Sequence, residues 1–260
     1  MPSKSDSVAC LCVTYRRLPF LKQAIQCFMQ QTHAARKLVI VHGDDDPETS
    51  RFLAAEVNDP RILCVPVEST RRIPLGELRN ISVRHAGTPL VAQWDDDDWH
   101  APRRLELQVK ALRKARQADA CILQRWMIFD ARSRKVYLST SRYWEASIVA
   151  WREKLPEYPP LRRSEDTAVV DQLVRRNAVA LLDRPELYIY TFHGGNTWNA
   201  RHWDRNIFAH AAEADQSDSE LFRAKLGDHL TDENLVRVQR GLAQRLSEAL
   251  RSLLKKNGRS

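Results

Sequence analysis

Residues 90–107 read LVAQWDDDDWHAPRRLEL: an apolar segment, then four consecutive aspartates, then a segment with helical periodicity. The apolar segment Leu90–Trp94 has the composition of a short strand that is buried on both faces of a sheet. Pro102–Arg116 follows, with apolar side chains three and four residues apart, which is typical of a helix that packs one face on a core. A strand that passes into a helix through a short polar turn is half of a βαβ unit, so this stretch predicts an α/β fold.

Three more strand–helix pairs precede this one and extend the pattern to the start of the chain. The predicted strands are Ser7–Tyr15, Lys37–Val41 and Arg61–Val67, and the predicted helices are Phe20–Gln31, Pro47–Val57 and Gly76–His85. Short connections of this kind imply parallel strands joined by crossover helices. We therefore predict a Rossmann-like, mainly parallel central sheet that is flanked by helices.

The pattern is less regular after residue 118. Strands are predicted at Ala120–Phe129, Val136–Thr140 and Leu187–Phe192, and a helix is predicted at Ser164–Arg176. Trp144–Trp151 fits either a strand or a packed loop, and the Pro-rich segment Trp151–Pro160 fits an irregular surface segment.

The composition is that of a globular protein, with 43% hydrophobic and 28% charged residues. No apolar run reaches the roughly 18 residues that a membrane-spanning helix needs. Residues 1–15 lack the apolar stretch and the cleavage site of a secretory signal. Five cysteines without CxxC spacing fit small buried hydrophobes in a reducing compartment better than a zinc site. We therefore expect a cytoplasmic protein.

The four aspartates Asp95–Asp98 are the densest chemical feature of the chain. Adjacent carboxylates repel one another and are costly to hold together without a cation. They follow a buried strand, and open α/β sheets bind ligands at the carboxyl ends of their strands. Carboxylate oxygens suit Mg²⁺ or Mn²⁺, which usually also bind substrate phosphates. The alternative is a solvated acidic turn that precedes the helix at Pro102.

Four segments in a fixed order now resemble a known family. They are VACLCVTYRR (8–17), LVIVHGDDDPET (38–49), the run from Leu75 to Gln108 that contains the aspartates, and Ser164-Glu165-Asp166. Together they resemble the family 2 glycosyltransferases, which have the GT-A fold and an Asp-x-Asp motif. The resemblance implies a GT-A domain over residues 1–214, with a nucleotide-sugar half of about 1–118 and an acceptor half of about 119–214.

The resemblance also implies roles for the aspartates. With Pro102 as the anchor, Asp95 and Asp97 occupy the two Asp-x-Asp positions, and Asp97 is expected to bind a Mn²⁺ or Mg²⁺ ion directly. Asp95 or Asp96 is expected to contact the ribose or the shell of the metal. Asp98 is expected to orient the site and to cap the following helix.

The nucleotide is expected to lie over Thr14, Tyr15 and Arg16 at the end of the first strand. The second-strand turn departs from the family pattern, because His42-Gly43 replaces the usual Asp-Asp pair. Asp44 is then the nearest carboxylate that could meet a uracil edge. The resemblance favours a UDP-sugar, although this departure leaves the base open.

Further site residues follow from the same resemblance. Arg79 and Asn80 fall where the family has an Arg-Asn pair close to the base and the phosphates; the alternative is an exposed helix face. Asp166 is expected to be the general base, with Glu165 as its neighbour; the alternative is a pair of acids at a helix N-terminus, which the macrodipole favours. His193 follows the last strand beside two glycines and resembles a metal-binding histidine of some members, or is a hydrogen-bonded turn residue.

The last 46 residues, 215–260, are predicted to be a basic helical appendage. Residues 231–260 carry seven Lys or Arg against three acids, which is 7 − 3 = +4 of the net charge of +8, and their leucines recur every three or four residues. Two interpretations stay open. The helix packs on the domain with a solvated basic face, or it docks on the inner face of an anionic membrane.

The resemblance implies an inverting, metal-assisted transfer of a sugar from a nucleotide diphosphate donor to a hydroxyl of a glycan or lipid-linked acceptor, as in polysaccharide biosynthesis. A metal-dependent phosphohydrolase and a non-catalytic nucleotide-sugar-binding protein are the alternatives. The net charge of +8 also suggests a nucleic-acid-binding protein. The densest charged feature is acidic, however, and no nucleic-acid motif is present, so we expect no nucleic-acid partner.

Overall fold

The computed structural model describes residues 6–68 and 73–215. The described residues form two compact units. The first contains the residues up to 127 together with 139–190, and the second contains 128–138 together with the residues from 191 onward. The predicted nucleotide-sugar half of about 1–118 and acceptor half of about 119–214 stay a prediction. The predicted appendage 215–260 lies, apart from its first residue, outside the described residues.

Twelve strands and six α-helices are present in the described part of the chain, and we number each kind in chain order. The strands are β1 Val8–Thr14, β2 Arg36–Gly43, β3 Ile62–Val67, β4 Leu90–Gln93, β5 Trp99–His100, β6 Ala120–Leu123, β7 Met127–Asp130, β8 Lys135–Leu138, β9 Val149–Trp151, β10 Val179–Leu182, β11 Tyr188–Phe192 and β12 Ala212–Glu213. The helices are α1 Leu18–Met29, α2 Pro47–Glu56, α3 Leu75–His85, α4 Arg104–Lys114, α5 Glu165–Arg175 and α6 Ala200–Asn206.

The first unit is built on a seven-stranded sheet of order β10-β6-β9-β4-β1-β2-β3. Neighbouring strands are parallel except at β9, which is antiparallel to both β4 and β6. The predicted mixed α/β fold with a mainly parallel sheet is therefore confirmed. The carboxyl ends of β1, β2 and β4 lie at the same edge, because β1 is the parallel partner of both others.

The central strands form because their residues are apolar on both faces. Six of the seven residues of β1 are buried, and so are all four of β4. Trp94 follows β4 with a fully buried ring, and its indole nitrogen donates to the carbonyl of Ala24 in α1 over 3.1 Å. The acidic turn therefore begins from a rigid point between the sheet and a helix.

Several short elements differ from the sequence prediction. Ala120–Phe129 was predicted as one strand but forms β6 and β7 with a break at 124–126. β5, β10 and α6 were not predicted at all. β5 has only two residues, and β10 is half-exposed, so neither carries a buried apolar run that periodicity could detect.

The second unit contains the antiparallel pair of β8 and β12 together with α6. The Asn199 side chain caps α6 by accepting from the backbone N–H of His202 over 3.0 Å. Arg132 donates to the carboxylates of Asp130 and Asp204 and lies over the ring of Phe192. None of the helices in the described ranges is long and apolar enough to cross a bilayer.

Gly76, in the first turn of α3, packs against the loop that precedes α5. A Cβ atom at this position would overlap the backbone carbonyl oxygen of Pro159, and the Gly76 N–H already donates to the carbonyl of Leu161 over 3.0 Å. We expect Gly76→Ala to lower the free energy of unfolding by about 2–3 kcal/mol, because backbone atoms must move apart. Urea unfolding followed by tryptophan fluorescence measures this change.

The matched control is Glu77→Ala, which removes atoms in the same helical turn. It is expected to cost less than about 1 kcal/mol. Equal stability of Gly76→Ala and the wild-type protein would show that α3 does not hold the loop at 159–161.

Candidate active site

The four aspartates after β4 alternate between two environments. The side chains of Asp95 and Asp97 are 22% and 13% exposed, whereas those of Asp96 and Asp98 are buried. The structure thus separates an outward pair of carboxylates from an inward pair. The outward pair occupies the two predicted Asp-x-Asp positions.

Asp96 ties the acidic turn to the end of β1. Its Oδ2 accepts from the hydroxyl of Thr14 over 2.7 Å, and its Oδ1 lies 3.3 Å from the guanidinium of Arg17. Burial raises the pKa of Asp96 to about 6; Arg17 opposes this rise and the neighbouring Asp97 adds to it. The hydrogen bond from the Thr14 hydroxyl to Asp96 thus anchors the acidic turn to the end of β1.

Asp98 ties the turn to β11. Its Oδ2 accepts from the hydroxyl of Tyr188 over 2.5 Å, and both residues are buried. The predicted helix-capping role of Asp98 is wrong. α4 begins at Arg104, its N-cap Arg103 makes no side-chain capping bond, and the Leu105 N–H in its first turn donates to Gln31 Oε1 over 3.2 Å. The tertiary contact with Tyr188 uses the carboxylate instead.

Arg104 is a buried arginine that supports the same acidic turn from inside the protein. The guanidinium of Arg104 donates to Gln108 Oε1 over 3.0 Å, to the carbonyl of Gln93 over 3.0 Å and to His100 Nδ1 over 2.7 Å. Because Nδ1 of His100 accepts, its Nε2 carries the proton and donates to the carbonyl of Asp95 over 3.2 Å. Burial, with help from Arg104, lowers the pKa of His100 well below its usual range, so the ring is neutral.

Arg79 joins the acidic turn to the start of α5. Its Nη2 lies 3.0 Å from Asp95 Oδ1, and its Nε lies 2.8 Å from Glu165 Oε1. Arg79 and Glu165 are buried, so the Arg79 Nε–H donates a charge-assisted hydrogen bond to the Glu165 carboxylate away from water. The structure therefore places Arg79 between two acidic segments that are far apart in the sequence.

Asn80 holds the loop that leads to α5. Its Nδ2 donates to the carbonyl of Tyr158 over 2.8 Å, and its Oδ1 accepts from the N–H of Tyr158 over 2.9 Å. Both ends of the amide are thus engaged by backbone. The predicted contact of Asn80 with the nucleotide stays a prediction, and the contact described here is structural.

Asp166 and Glu165 differ in their surroundings although they are adjacent. Glu165 is buried against Arg79, whereas Asp166 is partly exposed in the first turn of α5. Burial raises the pKa of Asp166 to about 7; Arg79 opposes the rise, and the carboxylates of Glu165 and Glu145 add to it. A carboxylate with such a pKa can take a proton near neutral pH.

The backbone before Glu165 and after Tyr15 adopts an uncommon conformation. Ser164, directly before Glu165, has φ of 59°, and Arg16, directly after Tyr15, has φ of 54°. Non-glycine residues in the left-handed region cost free energy, and they cluster at functional sites. Of the four such residues in the described ranges, Arg16 is thus a predicted site residue and Ser164 directly precedes two others.

The ends of β1 and β2 meet through aspartates of the second-strand turn. The hydroxyl of Tyr15 donates to Asp45 Oδ2 over 2.8 Å, and the N–H of Arg16 donates to Asp46 Oδ2 over 2.6 Å. Asp44, the residue predicted to meet the base, is exposed. Asp45 is thus the aspartate that contacts Tyr15, and the sequence did not single it out.

His193 belongs to the second unit and is buried there. Its N–H donates to Asn196 Oδ1 over 2.9 Å, and its Nδ1 accepts from the N–H of Gly195 over 3.3 Å. These contacts form a turn in which Gly194 has φ of 80°. Metal binding by His193 stays a prediction.

The carboxylates of the acidic turn fit a metal ion that a substrate helps to bind. No group of three His, Cys, Asp or Glu side chains within residues 6–68 and 73–215 is arranged to hold a metal ion. An ion that is bound by one or two carboxylates together with substrate phosphates needs no such group. The outward carboxylates of Asp95 and Asp97 therefore fit an ion shared with a diphosphate, and they do not form a metal cage by themselves.

A comparison with protein families gives one assignment. The family model described as "Glycosyl transferase family 2" matches residues 10–184. This range contains the acidic turn, Arg79 and Asp166. No curated protein matches the chain.

Solved structures confirm the predicted fold. The structure is similar to that of Staphylococcus aureus TarS 1-349 in complex with UDP-GlcNAc, with a TM-score of 0.59 and 15% identity over 73% of this chain and 60% of that chain. The complex of TarS 1-349 with UDP gives a TM-score of 0.57 and 15% identity over 72% and 60% of the two chains. The chain thus spans about 60% of the length of TarS 1-349. At this identity the likeness shows a shared GT-A fold.

Proposed function

The chain belongs to glycosyl transferase family 2 and is a glycosyltransferase, and we propose that it transfers a sugar from a nucleoside diphosphate to an acceptor hydroxyl with inversion. The observation that carries the proposal is the geometry of the acidic turn and α5. Arg79 bridges Asp95 and Glu165, so one buried arginine joins the acidic turn, which carries the proposed metal ligands, to the residue next to the proposed base Asp166.

In the proposed reaction Asp166 acts as the general base. Its carboxylate takes the proton of the acceptor hydroxyl while the acceptor oxygen forms a bond to C1 of the donor sugar. The bond between C1 and the oxygen of the β-phosphate breaks, and its electron pair stays on the nucleoside diphosphate. A single displacement of this kind inverts the configuration at C1. Glu165 is the weaker candidate for the base because Arg79 holds it.

Asp97 would hold a Mn²⁺ or Mg²⁺ ion, with Asp95 in contact with the ion or the ribose. Such an ion neutralises the charge that develops on the leaving diphosphate. Asp96 and Asp98 would not bind it, since Thr14 and Tyr188 engage them inside the protein. These two buried aspartates instead hold the outward pair in position.

The donor is proposed to be a UDP-sugar held over Thr14, Tyr15 and Arg16. Tyr15 is 47% exposed, and its ring lies at the edge where β1, β2 and β4 end. An exposed aromatic ring at this edge can stack on a base. The neighbouring structures of TarS with UDP and UDP-GlcNAc support a uridine donor.

The acceptor is proposed to be a glycan or a lipid-linked hydroxyl, and the protein is proposed to act in the cytoplasm. Residues 231–260 are proposed to contact the membrane, and packing on the domain is the alternative. Those residues lie outside the described ranges. The phosphohydrolase remains the alternative, because the same carboxylates could serve it.

A thermal-shift screen of nucleoside diphosphate sugars tests donor binding. At a concentration of about 100 times Kd a ligand adds about 2.7 kcal/mol, which is roughly 5–10 °C in Tm for a chain of this size. We expect UDP-sugars to raise Tm in the presence of Mn²⁺, and UMP, which lacks the diphosphate, to raise it much less. Failure of every nucleotide sugar to shift Tm would contradict the proposal.

A further inference from the structure

Arg17 is an unexpected residue for its position. It is the N-cap of α1, where Ser, Thr, Asp and Asn are preferred because their side chains accept hydrogen bonds from the first amides of the helix. The Arg17 side chain makes no such bond. Its positive charge also lies at the helix end where the macrodipole disfavours cations. Helix formation therefore does not explain an arginine here.

The acidic turn does explain it. One nitrogen of Arg17, Nη1, lies 3.0 Å from Asp97 Oδ2 and 3.3 Å from Asp96 Oδ1. Burial opposes the charge of Arg17, but Asp96 and Asp97 outweigh burial and raise its pKa above the usual value. The guanidinium is therefore a permanent cation that neutralises the turn. Its side chain is still 29% exposed, so it can exchange one anionic partner for another.

We infer that Arg17 couples the binding of the divalent metal to the binding of the nucleoside diphosphate. The inference rests on the proposed function, in which Asp97 binds the metal. Arg17 contacts the same carboxylate, so a metal ion that binds alone must compete with the guanidinium and separate an ion pair. Arg17 thereby acts as a positioning residue that keeps Asp97 in place until the donor arrives.

A diphosphate changes this competition. Guanidinium groups bind phosphate oxygens through parallel, charge-assisted hydrogen bonds. When a diphosphate binds together with the metal, Asp97 would bind the metal and Arg17 would bind the diphosphate. Arg17 then keeps an anionic partner although it has lost Asp97. The positive end of α1 favours the same anion. Metal and diphosphate consequently bind better together than either does alone, and the coupling is reciprocal.

Mn²⁺ and UDP are the probes for the test. The affinity for Mn²⁺ alone is measured from the EPR signal of the free ion. The affinity for UDP is measured by titration calorimetry, first in EDTA and then in excess Mn²⁺. The ratio of the two UDP dissociation constants is the coupling factor.

Arg17→Gln is expected to bind Mn²⁺ alone about 5–10-fold more tightly than the wild-type protein, because the competing cation is gone. Its coupling factor is expected to be at least about tenfold smaller. Arg17→Lys keeps the charge and should bind Mn²⁺ alone within about threefold of the wild-type protein. The matched control is Arg103→Gln, which removes an exposed arginine from the N-cap of α4 and should leave both quantities unchanged.

Two results separate the inference from the proposed function. A wild-type protein that binds no UDP even with Mn²⁺ would refute the proposed function. A wild-type protein that binds UDP with Mn²⁺, together with an Arg17→Gln variant whose Mn²⁺ affinity and coupling factor match it, would overturn the inference alone. The Arg17→Lys variant is the control for a folding defect. If the Arg17→Gln effect came from misfolding, restoring the positive charge as lysine would not restore the wild-type Mn²⁺ affinity.

Discussion

Asp97→Asn is expected to lower the rate of nucleoside diphosphate release from the donor by about 10³-fold, which corresponds to about 4 kcal/mol of transition-state stabilisation. Asparagine keeps the size of the side chain and removes its charge. The divalent ion then loses its proposed protein ligand, and Arg17 loses one of its two carboxylate partners. A coupled assay for UDP in saturating Mn²⁺ measures the loss.

Asp59→Asn is the matched control for this variant. Asp59 also accepts from an arginine, Arg61 at 2.7 Å, but it lies before β3 and outside the acidic turn. It should keep the full rate. A rate for Asp97→Asn within about tenfold of the wild-type rate would show that Asp97 does not hold the metal.

Asp166→Asn is expected to lower kcat by about 10²–10⁴-fold, the range that a positioned general base contributes.

The wild-type enzyme should also lose kcat/KM about tenfold per pH unit below pH 7, because burial raises the pKa of Asp166 to about 7 and only the carboxylate accepts the proton. Rates of UDP release measured from pH 5 to 8.5 test both statements. A flat profile in the wild-type enzyme would contradict the assignment.

Stability gives an independent check on the same residue. The pKa of an unfolded aspartate is about 3.9. The folded state therefore binds this proton more tightly, and ionising Asp166 lowers the free energy of unfolding as the pH rises from about 4 to about 7. Asparagine removes that cost, so Asp166→Asn should melt at or above the wild-type Tm at pH 8. The exposed Asp171→Asn on the same helix is the control and should change neither activity nor Tm.

The central sheet could be predicted from the sequence because its strands are continuous apolar runs. β1, β2 and β4 are buried on both faces, and composition alone marks such segments. β5 and α6 could not be found in this way. β5 exists only because two residues pair with β11, and α6 has seven residues, too few for a clear period.

The position of the candidate site could be predicted from the sequence, but the different environments of its four aspartates could not. Four identical aspartates carry no signal that separates the outward pair from the inward pair. The separation depends on Thr14 and Tyr188, which are 82 and 90 residues away from their partners. The link between Asp95 and Glu165 likewise needs Arg79 and a folded chain.

Arg17 could not be singled out from the sequence. The helix was predicted to begin at Phe20, which leaves Arg17 three residues outside it. Only the structure, in which α1 begins at Leu18, places this arginine at the N-cap. The identity of its partners, Asp96 and Asp97, depends on the return of the chain through β4.

The central claim is that this site transfers a sugar by breaking the bond at C1, and hydrolysis in H₂¹⁸O tests it most directly. In the absence of an acceptor, water can attack the donor slowly at high enzyme concentration. Mass spectrometry of the products from a UDP-sugar with Mn²⁺ then shows which bond was broken. Sugar transfer at C1 predicts UDP without label and free sugar with ¹⁸O at C1. Label in the phosphate, with UMP and sugar 1-phosphate as products, would contradict it and identify a phosphohydrolase.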